Sequence, residues 1–223
     1  MSRFFSSSIW KKVIMSLSGL FLVLFVLVHL ILNSFLIFDN TGELFNAGAH
    51  FMSIPVIRFG LQPVLAAGFL IHIIWASVLT LQNMKARPQK YAVQNLGNSS
   101  TWSSRNMFVL GGLVLVFIAM HLMHFFVPIQ ITGDVPMVHG HASDYLLVKN
   151  LFTNGSMGLV YTGIYIVGAI LLGLHLAHGF WSLFQSVGLC NGLWRPRLEK
   201  IGYCYAIIIS GGFIAIPLYM HFL

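Results

Sequence analysis

Apolar residues along this 223-residue chain fall into five long runs separated by short polar stretches. A helix needs about 20 mostly apolar residues to cross a bilayer, and every run is long enough. The pattern predicts spans at about 13–38, 56–83, 106–131, 157–187 and 201–222. Lys11-Lys12 precedes the first span and Asp39-Asn40-Thr41-Gly42 follows it. The second ends at Met84-Lys85-Ala86-Arg87-Pro88, the third starts after Trp102-Ser103-Ser104-Arg105, and the fourth runs into Gly188. Pro63 and Pro217 are candidate kinks, because proline frees a carbonyl that neighbouring helices must then satisfy. The longest connection, about 132–156, is polar and carries Asp134, His139, His141 and Asp144; loops of that length are often functional. With no internal repeat or low-complexity segment, the expected architecture is all-α, a single membrane domain over residues 1–223 with five transmembrane helices.

Composition agrees with the pattern. Hydrophobic residues make up 57% of the chain and charged ones 8%, with a mean hydropathy of +0.84, whereas a soluble domain carries roughly 25% charged residues. A soluble globular protein, a disordered chain and a nucleic-acid binder are excluded on that ground. The first apolar run is too long for a signal-peptide core, and no small-residue cleavage site follows it. Two cysteines, Cys190 and Cys204, are too few for a disulfide framework or an iron–sulfur cluster, and no C-x-x-C-H motif attaches haem covalently.

The net charge of +7 reads as topology. Arg3, Lys11, Lys12, Lys85, Arg87, Lys90, Arg105, Arg195, Arg197 and Lys200 fall on one side of the predicted spans, and only Arg58 and Lys149 on the other. Basic residues concentrate in cytoplasmic loops, so the N-terminus is expected inside and the C-terminus outside. Trp10, Trp102 and Trp194 fall near the inner boundary, as an aromatic belt does.

Only five acids, Asp39, Glu43, Asp134, Asp144 and Glu199, stand against ten histidines, and all five fall outside the predicted spans. His50, His139, His141 and His221 fall in outer loops or at their edges and read as solvated or interfacial. His29, His72, His121, His124, His175 and His178 lie within spans. Ionisable residues inside a membrane are rare, costly and functional by default; one alone reads as a packing residue, but six on four helices do not.

Depth sorts them. At 1.5 Å per helical residue, His29 lies roughly 25 Å from the inner boundary and His121 roughly 24 Å. His72 and His175 each lie roughly 20 Å from it. The histidines thus form two levels, His29 with His121 and His72 with His175. Two levels of paired imidazoles on facing helices suit two stacked b-type haems, each iron taking two axial ligands. Small residues on the same faces leave room for a macrocycle: Ser18, Gly68, Gly168 and Gly179. Spacing alone does not choose between His121 and His124, or between His175 and His178, because residues three apart point about 60° from each other. Zinc is the competing metal, but it prefers four ligands at one level.

Several segments carry a family resemblance: Ser-Gly-Leu-Phe-Leu at 18–22 leading to His29, Ala66-Ala67-Gly68 before His72, Ala119-Met120-His121-Leu122, and His175-Leu-Ala-His-Gly-Phe-Trp-Ser182. In order, spacing and helix placement, over nearly the whole chain, they resemble the dihaem cytochrome b membrane anchor of succinate dehydrogenase and fumarate reductase in its single-subunit, five-helix form. The resemblance implies a haem-binding four-helix bundle plus one helix. It implies His29 and His121 as ligands of the outer haem b and His72 and His175 as ligands of the inner one, the H-x-x-x-G form choosing His175 with Gly179. It implies a place in the inner (cytoplasmic) membrane, with an iron–sulfur subunit and a flavoprotein bearing covalent FAD docked on the inner face. Electrons then travel between those subunits and a quinone, commonly menaquinone, while the chain itself holds no dicarboxylate site. A dimer of the complex remains open.

In some relatives an acid near the outer start of the second helix handles quinone protons. No glutamate occupies the matching place here, and Glu43 and His50 are the nearest substitutes. His124 and His178 are left for hydrogen bonds to a propionate, a proton path or a quinone contact. Two other readings stand beside this one: the cytochrome b subunit of a formate dehydrogenase or hydrogenase, and a His-lined proton or metal transporter, which the absence of acids from the spans disfavours.

Overall fold

The computed structural model describes residues 7–86 and 102–222. Arg3, Arg87 and Lys90, three of the basic residues used to orient the chain, lie outside the described residues. Five helices are long and apolar enough to cross a membrane: Ile9–Phe38, Ile57–Ala86, Met107–Thr132, Gly155–Gln185 and Arg195–Phe222. The elements in order are α1 (Ser8–Phe38), α2 (Glu43–Met52), a π turn (Ile57–Leu61) running into α3 (Gln62–Ala86), α4 (Trp102–Arg105), and α5 (Met107–His121), which continues as a π segment (Leu122–Thr132). A two-stranded hairpin follows, β1 (Met137–Val138) and β2 (His141–Ala142), then α6 (Asp144–Thr153), α7 (Gly155–Ser186) and α8 (Arg195–Phe222).

The first and last spans are longer than hydropathy alone predicts. Backbone hydrogen bonding does not stop where polar side chains begin, so α1 starts before Lys11-Lys12, its N-cap Ser7 accepting from the Trp10 amide. Helix α8 starts at Arg195. Glu199, expected outside the spans, therefore lies on α8, where its carboxylate pairs with the Arg195 guanidinium at 3.0 Å.

Two of the prolines, Pro63 and Pro128, go with π geometry. Pro63 lacks the amide that would close an α turn, and the backbone before it widens: the Gln62 amide reaches back to the Ile57 carbonyl, five residues away. Pro128 sits inside the π segment of the third span. Hydropathy carries no sign of that segment, and such wide turns recur at functional sites. Helix α8 continues through Pro217.

The connection at 132–156 is mostly ordered structure rather than open loop. His139 and Gly140 both have positive φ, 49° and 83°, the backbone of a two-residue hairpin turn, and they join strands paired Val138 with His141 and Met137 with Ala142. Ser143, buried, then caps α6 by accepting from the Leu146 amide. The α6 helix is fastened to α2 by Asn46, whose carbonyl accepts from the Tyr145 amide at 2.9 Å and whose amide donates to Ser143 Oγ. At its other end, His221 Nδ1 donates to the Phe152 carbonyl at 2.8 Å. His221 is thus a structural link between α8 and α6.

Between α1 and α2, Asp39 gathers the free amides of the turn: Oδ1 accepts from the Thr41 amide and Oδ2 from the Leu44 amide. Those bonds hold its carboxyl below the usual carboxylate range, the Leu44 amide contributing most. Gly42 follows at φ 77°, with the Tyr145 ring 2.3 Å from where a Cβ would stand, so the turn admits no side chain there.

Contacts among the long helices define the architecture. Helix α1 packs on α3 and α7, α7 packs on α5, and α3 and α5 meet only lightly, while the diagonal pairs α1/α5 and α3/α7 barely approach each other. The four therefore stand in cyclic order around a common interior, and α8 lies outside against α7 and α1. Gly173 lets α8 come close, since a Cβ there would meet the Ser210 side chain at 2.8 Å, and Tyr205 anchors α8 to α1 by donating to the Val23 carbonyl. Lys11, at the start of α1, donates to Gln82 near the end of α3 and so ties the basic ends of these helices together.

Candidate cofactor site: two pairs of histidines across the bundle

The two diagonals that keep their backbones apart are the two that bring histidines together. His29 on α1 and His121 at the end of α5 place their ring centres 5.7 Å apart, with planes at 85°. His72 on α3 and His175 on α7 lie 6.4 Å apart at 68°. Each pair spans the interior from opposite corners.

Contacts between helices put the pairs at different heights. Ser18 Oγ lies 3.4 Å from His72 Nδ1, and Ser18 is eleven residues before His29 on the same helix, or about 16 Å along its axis. Independently, a Cβ at Gly111 would stand 3.4 Å from His175 Cε1, and Gly111 is ten residues before His121, about 15 Å. The same two pairs thus recur, but about 15 Å apart rather than the roughly 5 Å read from the inner boundary, because the charged residues taken as that boundary do not stand at one height: Lys11 meets Gln82 rather than Lys85.

The surroundings of the pairs differ. Ser18 donates its hydroxyl to the Met15 carbonyl at 3.0 Å, leaving its oxygen to accept from His72 Nδ1–H, which frees the Nε2 lone pair. Metal-ligating histidines are oriented in this way by a second group. His175 Nδ1 is buried and has no hydrogen-bond partner among the described residues. In the other pair, His29 stacks on Phe25 at 5.4 Å and 24°, and Asn33 Nδ2, donating mainly to the His29 carbonyl at 2.8 Å, lies 3.5 Å from His29 Nε2. His121 makes no hydrogen bond among the described residues; Phe117, Phe125, Tyr165 and His29 surround its ring.

The competing histidines point elsewhere. His124 lies on the π segment, whose wider turn advances each residue through a smaller angle and swings it away from the face of His121. Its Nδ1 lies 3.0 Å from the Tyr165 hydroxyl, and its ring packs on Tyr161. His178 turns to Trp181, ring centres 5.0 Å apart, and its buried Nδ1 has no partner among the described residues.

The small residues are distributed differently from the expectation. Gly68 receives Phe21 and Gly168 receives Phe117, each ring within 3 Å of where a Cβ would stand, so these two glycines serve helix packing. Ser18 serves His72 on the neighbouring helix rather than His29 on its own. The glycines nearest the inner pair are Gly19, where a Cβ would meet Leu183 at 2.6 Å and His72 at 3.6 Å, and Gly111, where it would meet His175 at 3.4 Å. A signal for them exists in the sequence: each stands ten residues before the histidine of its own helix, His29 and His121. Helices α1 and α5 therefore each lend a glycine to one pair and a histidine to the other.

At the end of the bundle opposite the basic one, a cavity of about 230 Å³ lies between α2, the π segment and the start of α6. Asn46, His50, Ser53 and Asp144 give it polar groups, and Ile129 and Val135 give it apolar wall. Burial pushes the Asp144 carboxyl above the usual range. Beside it, Gln130 Nε2 donates to Ser53 Oγ and the Gln130 carbonyl accepts from Arg58. His50 is part of the lining, whereas Glu43 is on the exposed first turn of α2 and outside it. Sequence spacing had not joined Asp144 to His50, which is 94 residues earlier.

Among the described residues, no three or more His, Cys, Asp or Glu side chains converge as a metal-holding group; the intramembrane histidines meet in twos. Comparison with family models, with curated proteins and with solved structures returns no match.

Proposed function

We propose that this protein is the dihaem cytochrome b membrane anchor of a succinate dehydrogenase or fumarate reductase, carrying electrons between an iron–sulfur subunit and a quinone. One observation carries the reading: two imidazole pairs, each bridging a diagonal of the helix bundle. A histidine nitrogen sits about 2 Å from the metal it binds, so two imidazoles on opposite sides of one iron hold their ring centres about 6 Å apart. The pairs here stand at 5.7 and 6.4 Å. The residues present fit the group, with His29 and His121 holding the outer haem b and His72 and His175 the inner one. Bound there, haem would supply a one-electron iron couple suited to electron transfer.

The chain's own residues do the rest. Ser18, accepting from His72 Nδ1–H, holds the His72 tautomer whose Nε2 keeps its lone pair. Gly19 and Gly111 set bare backbone against His72 and His175, Gly19 also receiving Leu183. The ten basic residues of the sequence put the N-terminus in the cytoplasm and make the inner face, with Lys200 and Arg197, the surface for the iron–sulfur subunit, which carries the flavoprotein with its FAD. The cavity by His50 and Asp144 suits a quinone, menaquinone being the type usual for five-helix anchors. The Asp144 carboxyl, raised above its usual range by burial, and the His50 imidazole offer hydrogen bonds to the carbonyl and hydroxyl oxygens of such a ligand. Glu43, outside the lining, has no part in this.

The purified chain is expected to show a bis-histidine b-type spectrum with two haems per chain, and His29→Ala, His121→Ala, His72→Ala and His175→Ala each to remove one. A chain without a Soret band sinks the proposal. The cytochrome b subunit of a formate dehydrogenase or hydrogenase shares the same ligand geometry; co-purification with a succinate-oxidising flavoprotein decides against it.

A further inference from the structure

The inner and outer pairs are oriented by different means. A hydrogen bond from His72 Nδ1–H to Ser18 Oγ sets His72, but His121 has none among the described residues. A histidine ring turns broadly about its last side-chain bond, so only packing can fix the His121 plane. Its neighbours are Phe117 at 6.1 Å, Phe125 at 5.2 Å and Tyr165 at 6.0 Å. Tyr165 is the centre of that wall. It is buried, and it meets Phe117 and Phe152 edge to face at 5.2 and 5.1 Å and Phe125 at 6.0 Å.

A buried tyrosine hydroxyl requires a partner, and here that partner is His124 Nδ1 at 3.0 Å, with the His124 ring stacked on Tyr165 at 19°. The π turn makes the arrangement possible by carrying His124 off the His121 face and onto α7.

We propose that His124, through its hydrogen bond to Tyr165, fixes the plane of the His121 imidazole nearly perpendicular to that of His29, so that both residues are positioning groups of the outer pair. This rests on the haem reading above. It also assigns His124 a role distinct from ligation: Tyr165 is the link, and His121 is what it orients.

The test is low-spin ferric electron paramagnetic resonance on the purified full-length chain. Perpendicular axial imidazoles leave two iron orbitals nearly degenerate and give a strongly anisotropic signal; rotation toward parallel lowers the largest g value. Tyr165→Phe retains the ring and removes the hydrogen bond. It is expected to retain two haems per chain, lower the largest g value of the outer haem and leave the inner one unchanged. His124→Ala is expected to give the same shift, and the double variant no more than either alone, because one bond is removed in all three. His124→Gln, whose amide can still bond the hydroxyl, is expected to restore the original signal. An outer signal unchanged in both Tyr165→Phe and His124→Ala, with two haems present, overturns the proposal and leaves the haem reading standing. A wild-type chain without haem overturns both. If Tyr165→Phe were to lose the outer haem, His124→Ala and its Gln rescue decide.

Discussion

Replacing Ser18 with alanine tests the inner pair where its geometry is most specific. In the folded chain the Ser18 hydroxyl donates to the Met15 carbonyl and its oxygen accepts from His72 Nδ1–H at 3.4 Å. Ser18→Ala removes that acceptor and leaves the imidazole free to choose its tautomer and plane. A net hydrogen bond contributes about 0.5–1.5 kcal/mol, and groups that orient a metal-bound histidine typically matter 10–100-fold in affinity. The contact is long, which places the effect at the low end: about tenfold weaker inner haem binding, ~1.4 kcal/mol. The assay is a haem titration of the apo chain followed by Soret absorbance, with His29→Ala as background so that only the inner site fills. In the complementary His72→Ala background, the outer site should bind as before, because it lies about 16 Å away along α1. Unchanged inner affinity, or equal weakening at both sites, would refute the assignment of Ser18 to His72.

Three further outcomes are expected. His178→Ala should retain both haems and His175→Ala should lose one, counted by haem-to-protein ratio, since only His175 faces His72. Gly42→Ala forces a left-handed backbone on a residue with a side chain, at roughly 1–2 kcal/mol, and displaces Tyr145; the melting temperature in detergent should fall by roughly 2–8 °C. Asp144 has a carboxyl raised by burial, so the folded state disfavours its charge: its destabilisation is absent below the ordinary carboxylate range, roughly pH 4, and grows as pH rises through the raised value. Asp144→Asn should therefore raise the melting temperature at pH 7, with the gain vanishing in acid, where equal gains at both pH values would contradict the assignment. Asp39 is the opposite case: its carboxyl is lowered by amide bonds, so its contribution is present at neutral pH and lost as pH falls through the lowered value.

Much of the architecture follows from linear features. A run of about 20 apolar residues has few options other than a helix across a membrane, so the five spans are legible from hydropathy. The pairing of the histidines by depth is legible too, because helical rise converts sequence position into relative height: His29 goes with His121, and His72 with His175, before any helix is packed. The limits of that reading were physical. Helices extend past their apolar parts, which moved Glu199 onto α8. Hydropathy is blind to hydrogen-bond register, so the π segment after His121 was not visible in it.

Azimuth and partnership were decided only by the tertiary structure. The sequence by itself specified how many spans there are and which histidines pair by depth, because both depend on residues near one another along one helix, but not the distance between the two levels, which depends on how the helices are set against one another. It left His121 and His124 equivalent, as it did His175 and His178, because a 60° difference has no meaning until a neighbour is in place. Packing brought the diagonals together, assigned Ser18 to a histidine 54 residues away, lent Gly19 and Gly111 to the opposite pair, and joined His50 to Asp144. Those are relations between helices, and no pattern within one helix contains them.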